Sequence, residues 1–113
     1  MIDQVQPAQL RDWIASQAHN GSAVLLDVRE AWEVQTACVT AQGFELVTIP
    51  MHSIPPRLSD LNRDQPIAVL CHHGGRSMQV AAFLVQQGFS HVANISGGIN
   101  AWSSQVDASV PTY

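Results

Sequence analysis

A cysteine followed at once by a glycine-rich turn and an arginine is the part of this sequence best suited to chemistry. The run Cys71-His72-His73-Gly74-Gly75-Arg76 comes directly after the apolar stretch Ile67–Leu70. Its two glycines let the backbone curl tightly, so that successive N–H groups point inward. A helix that begins after the turn adds the partial positive charge of its N-terminus. Both effects favour a thiolate at Cys71 and an anion bound above the sulfur, which predicts a nucleophilic cysteine.

The other side chains of this loop could serve the same anion. Arg76 can offer a planar fork of donors to an oxyanion. His72 and His73 are expected at the mouth of the pocket, where partial protonation adds positive charge at mildly acidic pH. An equally good interpretation makes each of them an exposed polar residue without a role, and Cys71 itself could be a free cysteine packed at a strand end. No Cys/His spacing elsewhere resembles a zinc site, so no metal is expected.

The elements that must position Cys71 alternate along the chain. Short apolar strands are predicted at Ala23–Asp27, Glu45–Ile49, Ile67–Leu70 and His91–Ile95. Helical patterns follow Pro7, Glu30 and Arg76 and start again at Ile99, with an irregular helix at Ser53–Leu61. This alternation is typical of an α/β fold with a central, mainly parallel sheet covered by helices on both faces. Ligands of such sheets bind beyond the carboxyl ends of the strands, where Cys71 stands.

Length and composition narrow the classes of protein. The 113 residues fit one domain over 1–113, with a loose tail from about residue 104, and the net charge is −4. That charge argues against nucleic acid and against an anionic membrane surface as partners. The N-terminal residues lack the pattern of a signal peptide, and no apolar run reaches membrane-spanning length. Two cysteines far apart, Cys38 and Cys71, favour reduced thiols in the cytoplasm over a disulfide scaffold.

Several stretches together resemble the rhodanese family of single-domain sulfurtransferases. They occur in the family's order, and together they span most of the chain. Any one of them alone is a weak signal, but their combination is highly specific. The stretches are Leu25–Glu30 with Trp32-Glu33, Ile49-Pro50, Cys71–Ser77, Gly88-Phe89 and Asn94–Trp102.

This resemblance implies a three-layer rhodanese-like fold and transfer of sulfane sulfur through a persulfide on Cys71. The donor would be a small anion such as thiosulfate. The acceptor would be cyanide in an assay and a thiol or a protein in the cell. Asp27 and Arg29 would support the loop, although Asp27 could instead be an acid or base, and Gly97–Trp102 would close the fold. The persulfide-binding loop would consist of His72, His73, Gly74, Gly75, Arg76 and Ser77.

The sequence departs from the family pattern in the segment that precedes Ile49-Pro50. Residues 37–44 lack the family's usual histidine, and their length is altered. The shape of the second loop, over residues 36–44, is therefore left open. Cys38 in this loop could be a resolving thiol or a second sulfur acceptor, but a small packed residue is the favoured interpretation.

Three other functions compete with sulfur transfer. Cysteine-dependent phosphatases and arsenate reductases also set a cysteine and an arginine around an anion, but they place five residues between the two. Here four residues separate Cys71 from Arg76, and the smaller loop suits a single sulfur atom. A non-enzymatic binding module on the same fold would usually lose the cysteine. A thiol redox protein using Cys71 and Cys38 is the third alternative, although no C-x-x-C motif supports it.

Overall fold

The computed structural model describes residues 2–18, 21–41 and 43–113, which form five β-strands and four α-helices. The strands are β1 (Ile2–Val5), β2 (Val24–Asp27), β3 (Glu45–Thr48), β4 (Ile67–Leu70) and β5 (Val92–Ile95). The helices are α1 (Leu10–Ser16), α2 (Ala31–Thr36), α3 (Gly75–Gln86) and α4 (Gly98–Gln105). None of the helices among these residues is long and apolar enough to cross a membrane.

The five strands form one parallel sheet in the order β1-β5-β4-β2-β3. The predicted α/β fold is therefore confirmed, and so are the four predicted strands. β1 was not predicted, because two of its four residues are polar and exposed, as an edge strand permits. β4 lies at the centre of the sheet, so the residue that follows it stands in the middle of the carboxyl edge.

Side chains alternate between the two faces of the sheet and build a separate core on each. On one face Leu26 and Val69 pack with the α3 residues Val80 and Leu84. On the other face Leu25, Ala68 and Leu70 pack with α1 and α4, including Trp13 and Trp102. Every residue of β2 and β4 is buried, as expected for strands covered by helices on both sides. Cys71 belongs to the α3 face.

The segment predicted as an irregular helix over Ser53–Leu61 consists of short 3₁₀ turns. Met51–Ser53 and Leu58–Asp60 form two such turns. Pro55 and Pro56 lie between them and lack the N–H groups that a continuous helix would need. The segment still contributes to the core, because Ile54 is buried.

The prediction of a loose tail from about residue 104 is wrong. α4 continues to Gln105, and Val110 is 5% exposed against the core of α1 and α4. The Tyr113 hydroxyl lies 3.0 Å from both Arg29 Nη1 and Glu33 Oε1. The polar composition of residues 104–109 concealed these two anchors, since neither follows from a local sequence pattern.

A tight backbone contact joins the start of α4 to the loop after β4. Gly98 has φ +58°, a value that side chains disfavour, and a Cβ there would lie 2.3 Å from the carbonyl oxygen of Cys71 and 2.5 Å from that of His72. The N–H groups of Ile99 and Asn100 donate to these same carbonyls at 2.8 and 3.2 Å. Position 98 therefore has room for glycine alone.

We expect Gly98→Ala to destabilise the fold strongly, because the new methyl group meets rigid backbone and the α4 contact must open. The free energy of unfolding should fall by at least about 3 kcal/mol, measured by urea denaturation. Gly75→Ala is the matched control, since a Cβ at that helical position meets nothing within 4 Å and alanine favours helix. Equal free energies of unfolding in the two variants would show that position 98 tolerates a side chain.

Candidate active site

The Cys71 sulfur lies at the carboxyl end of β4, directly before the glycine-rich loop. Gly74 adopts φ +109°, which ends the loop and lets α3 begin at Gly75. The Gly74 N–H donates to Cys71 Sγ at 3.0 Å. Cys71 is 1% exposed, so a reactant must reach the sulfur past the rim of the loop. The predicted nucleophile, inward backbone donor and helix N-terminus are thus brought together.

The start of α4 sets the direction of the peptide groups in this loop. The N–H groups of Ile99 and Asn100 donate to the carbonyls of Cys71 and His72, so these carbonyls point toward α4. In a trans peptide the N–H points opposite to the C=O. The N–H groups that follow these two carbonyls therefore face away from α4. This anchoring gives residues 97–102 the closing role expected of them.

A chain of polar side chains leads from the buried sulfur of Cys71 to the surface at Gln4. Ser77 Oγ lies 3.3 Å from Cys71 Sγ and is hydrogen-bonded to Asn94 Oδ1. Asn94 Nδ2 in turn donates to Gln4 Oε1 at 3.0 Å. Ser77 has one hydroxyl hydrogen, so it accepts from a Cys71 thiol while donating to Asn94, or it turns and donates to a sulfur anion. Ser77, a predicted loop residue, is thereby placed against the sulfur.

Asp27 and Arg29 form a buried ion pair beside the loop. Arg29 Nε and Nη2 donate to the two Asp27 oxygens at 2.9 and 2.7 Å, and neither side chain is more than 2% exposed. Burial alone would lower the pKa of Arg29, but the hydrogen bonds that Arg29 donates to Asp27 and Tyr113 outweigh it and the pKa is raised. Because Arg29 occupies both carboxylate oxygens, Asp27 is poorly placed to act as an acid or base. The geometry fits a supporting role for the pair.

Arg76 does not present a free fork to the pocket, contrary to the sequence expectation. Its Nη1 and Nη2 donate to Glu33 Oε2 and Oε1, each at 2.7 Å. The hydrogen bonds from Arg76 lower the pKa of Glu33 to about 2, and Glu33 raises the pKa of Arg76. The guanidinium also lies near enough to Cys71 for the sulfur's charge to raise its pKa. The Glu33 carboxylate on α2 therefore occupies the guanidinium group of Arg76. The spacing of residues in the sequence gives no sign of this contact.

The ring of His72 stacks on both His73 and Tyr113. The His72 ring centroid is 3.9 Å from those of His73 and Tyr113. Burial and then the neighbouring His73 lower the pKa of His72, so this ring gains its charge at a lower pH than an ordinary histidine. Among the described residues no group of three or more His, Cys, Asp and Glu side chains could hold a metal ion.

Cys38 is exposed, so the favoured interpretation of a packed residue is wrong. Its neighbours Ala37 and Val39 are buried instead and anchor the segment to the α1 and α4 side of the core. The alternation of an extended chain explains the reversal, because it turns every second side chain outward. Cys38 and Cys71 are both free thiols. Gln42, in the same atypical loop, lies outside the described residues.

Sequence reasoning missed three contributors to the site. Glu33 entered only as part of a motif, and its charge at the start of α2 was the available signal. Asn94 could have been suspected as a polar residue within an apolar strand. Tyr113 gave no signal, because its contacts with Arg29 and His72 depend on how the chain returns after α4.

The fold and the site define an α/β domain with a cysteine in an anion-binding loop at the carboxyl edge of its sheet. Residues 10–105 match the rhodanese-like domain family. The chain therefore belongs to the rhodanese-like domain family, as the sequence resemblance predicted.

Relatives differ in length and in the name they carry. A rhodanese-like/PpiC domain-containing protein 12, chloroplastic, of Arabidopsis thaliana is 40% identical over 99% of this chain, which spans 38% of that protein's length. A sulfurtransferase of Allochromatium vinosum is 33% identical over 91% of this chain and 90% of its own. A thiosulfate sulfurtransferase GlpE of Pseudomonas savastanoi pv. phaseolicola is 39% identical over 71% of this chain and 72% of its own.

A solved structure supports the fold. The crystal structure of a rhodanese-like domain protein from Staphylococcus aureus superposes with a TM-score of 0.73 at 24% identity. The match covers 89% of this chain and 91% of that one.

We expect the Glu33–Arg76 ion pair to make stability depend on acidity. The pKa of Glu33 is about 2 in the fold against an ordinary 4.5, so the pair contributes fully above pH 4.5 and is lost as the pH falls toward 2. Arg76 is one-third exposed, and solvent screening reduces the contribution to about 2 kcal/mol. Urea unfolding of Glu33→Gln should show a weaker loss of stability in acid than the wild type. Exposed Glu45→Gln is the control and should follow the wild type.

Proposed function

We propose that this chain is a sulfurtransferase that moves sulfane sulfur from a small anionic donor, such as thiosulfate, to a thiophilic acceptor through a persulfide on Cys71. The observation that carries the proposal is the 3.0 Å hydrogen bond from the Gly74 N–H to Cys71 Sγ. It places a donor on the sulfur at the start of α3, where negative charge is favoured. The names of the bacterial sulfurtransferase relatives support the same reaction class.

In the first step the Cys71 thiolate attacks the outer sulfur of the donor. A bond forms between Cys71 Sγ and that sulfur while the S–S bond of thiosulfate breaks, and sulfite leaves with the electron pair. The persulfide anion is then held by backbone N–H groups of the loop, led by Gly74. Ser77 can turn its hydroxyl from Asn94 toward the sulfur and donate a further hydrogen bond.

In the second step an acceptor nucleophile takes the outer sulfur. Cyanide attacks it in an assay, and a small thiol or a protein thiol does so in the cell. The bond to Cys71 Sγ breaks and the thiolate is regenerated, so no net oxidation or reduction of the enzyme occurs. Two half-reactions that share one covalent intermediate predict ping-pong kinetics. Neither step requires a metal or an organic cofactor, and a reducing compartment such as the cytoplasm would keep Cys71 active.

The geometry supports sulfur transfer over phosphoryl transfer. Four residues separate Cys71 from Arg76, and Glu33 occupies the guanidinium that would hold a phosphoryl oxygen. The buried sulfur also favours a donor with a narrow terminal atom. Measurable hydrolysis of a phosphate ester that vanishes in Cys71→Ser would support the rival function instead.

The two other alternative functions, a binding module and a redox protein, make different demands on the cysteines. A non-enzymatic binding module needs no reactive thiol, and it would gain support if thiosulfate left Cys71 unmodified. A redox protein needs a reversible disulfide, but Cys71 is buried in the loop while Cys38 is exposed in the segment after α2. Activity that depends on a Cys38–Cys71 disulfide would favour the redox rival.

We expect incubation with thiosulfate to add the mass of one sulfur atom to the protein, because the Cys71 persulfide is stable until an acceptor arrives. Intact mass spectrometry is the measurement. Cys38→Ala should gain the same mass as the wild type, and Cys71→Ala should gain none. Retention of the added sulfur in Cys71→Ala would refute the proposed intermediate.

We expect Ser77→Ala to slow thiosulfate:cyanide sulfur transfer by roughly ten- to a hundredfold, because a hydrogen bond to a charged sulfur contributes about 1.5–3 kcal/mol. Steady-state kcat, with thermal unfolding to check the fold, is the measurement. Ser104→Ala on the exposed side of α4 is the matched control, since it removes the same hydroxyl away from the site. Equal rates in both variants would show that Ser77 does not act on the sulfur.

A further inference from the structure

One arginine lies within the Cys71 loop and the first turn of α3. The chain has five cationic residues, all of them arginines. Four are placed elsewhere: Arg11 on α1, Arg29 buried on Asp27, Arg57 on Asp60, and Arg63 on the carbonyl of Gln87 at the end of α3. Arg76, in the first turn of α3, is therefore the arginine that could attract an anionic donor to the sulfur.

Glu33 balances the charge of Arg76 with one of opposite sign. It faces Arg76 through two hydrogen bonds of 2.7 Å, and its own side chain is 4% exposed. The Glu30 N–H and the Tyr113 hydroxyl hold the same carboxylate at 2.8 and 3.0 Å. With a pKa of about 2, Glu33 stays ionised throughout the neutral range. The ion pair is thus fixed in place from three sides.

His72, in the middle of the neighbouring aromatic stack, does not replace that charge. His72 is sandwiched between His73 and Tyr113, and burial lowers its pKa. It is accordingly neutral at pH 7 and above. What the loop offers an anion at that pH is the partial charge of backbone N–H groups and of the α3 N-terminus. These suit one charged sulfur atom better than a dianion.

We propose that Glu33 is a specificity-determining residue that, by neutralising Arg76, makes thiol persulfides the preferred sulfur donors over dianionic thiosulfate. This inference rests on the proposed function and names its donor class. Thiosulfate remains a usable but weaker donor, because it enters a site without a free cation.

The donor reaction balances without a further reagent. The Cys71 thiolate attacks the terminal sulfur of R–S–SH, forming the Sγ–S bond. The S–S bond of the donor breaks, and its electron pair leaves on R–S⁻, which takes up the persulfide proton to become a thiol. The sulfane sulfur keeps its oxidation state, so neither an oxidant nor a reductant is consumed.

The test compares two sulfur donors in three forms of the protein that differ in charge at positions 33 and 76. Thiosulfate and the persulfide of 2-mercaptoethanol, which has no charged group besides its S–SH end, are each mixed with the protein above the range in which histidines titrate. The rate of Cys71 persulfide formation is followed by intact mass spectrometry. The variants are the wild type, Glu33→Gln, which uncovers Arg76, and Glu33→Gln/Arg76→Gln, which loses the same ion pair without exposing a charge.

In the wild type we expect loading by the persulfide to be at least about tenfold faster than by thiosulfate, with a thiosulfate rate insensitive to salt. Glu33→Gln should shift the ratio of the two rates toward thiosulfate by roughly tenfold, and salt should then slow thiosulfate loading. The double variant should restore the wild-type ratio. Because the ratio compares donors within one variant, general damage to the loop cancels.

Equal loading by the two donors in the wild type, or a ratio that Glu33→Gln leaves unchanged, would overturn the inference while leaving sulfur transfer intact. If Glu33→Gln fails to fold, the wild-type ratio and its salt dependence decide the question. If neither donor modifies Cys71, the proposed function itself fails.

Discussion

Two hydrogen bonds from the start of α4 fix the backbone of the loop that follows β4 and contains Cys71. The N–H groups of Ile99 and Asn100 donate hydrogen bonds to the carbonyls of Cys71 and His72. Gly98 permits this close approach of the two backbones. Since each peptide group is rigid, fixing the carbonyls also fixes the N–H groups that follow them. The Gly74 N–H then completes the turn by donating to the Cys71 sulfur. The α4 contact and the Gly74 hydrogen bond together hold the backbone of the loop around the sulfur.

Ion pairs secure the elements around this loop. Asp27 and Arg29 are buried together at the end of β2, and Arg29 also donates to the carbonyl of Glu33 at 3.3 Å. Glu33 continues the network to Arg76 at the start of α3. Each cation has its carboxylate, as buried charges require. The network therefore positions the loop while supplying little net charge to it, which leaves the backbone as the main source of attraction for a sulfur anion.

The sequence was informative where local patterns carry the information. Buried strands such as Ile67–Leu70 follow from their apolar composition, and a cysteine placed directly after one must lie at the carboxyl edge of a parallel sheet. Contacts between residues far apart in the sequence could not be predicted from it. Nothing near Arg76 indicates that Glu33, 43 residues away in sequence, occupies its fork. Tyr113 lies in a polar segment whose contacts arise from tertiary packing, and exposed Cys38 reversed a general tendency of free cysteines.

We infer that backbone N–H groups of the loop, and not the Arg76 guanidinium, hold the sulfur anion. Nitrogen–proton NMR of the protein before and after conversion of Cys71 to its persulfide tests this directly. The amide protons of Gly74, Gly75 and Arg76 should move to lower field, as hydrogen bonds to a charged sulfur strengthen, while the Arg76 side-chain Nε signal stays in place. A large shift of that Nε signal with unchanged loop amides would show instead that the guanidinium holds the anion.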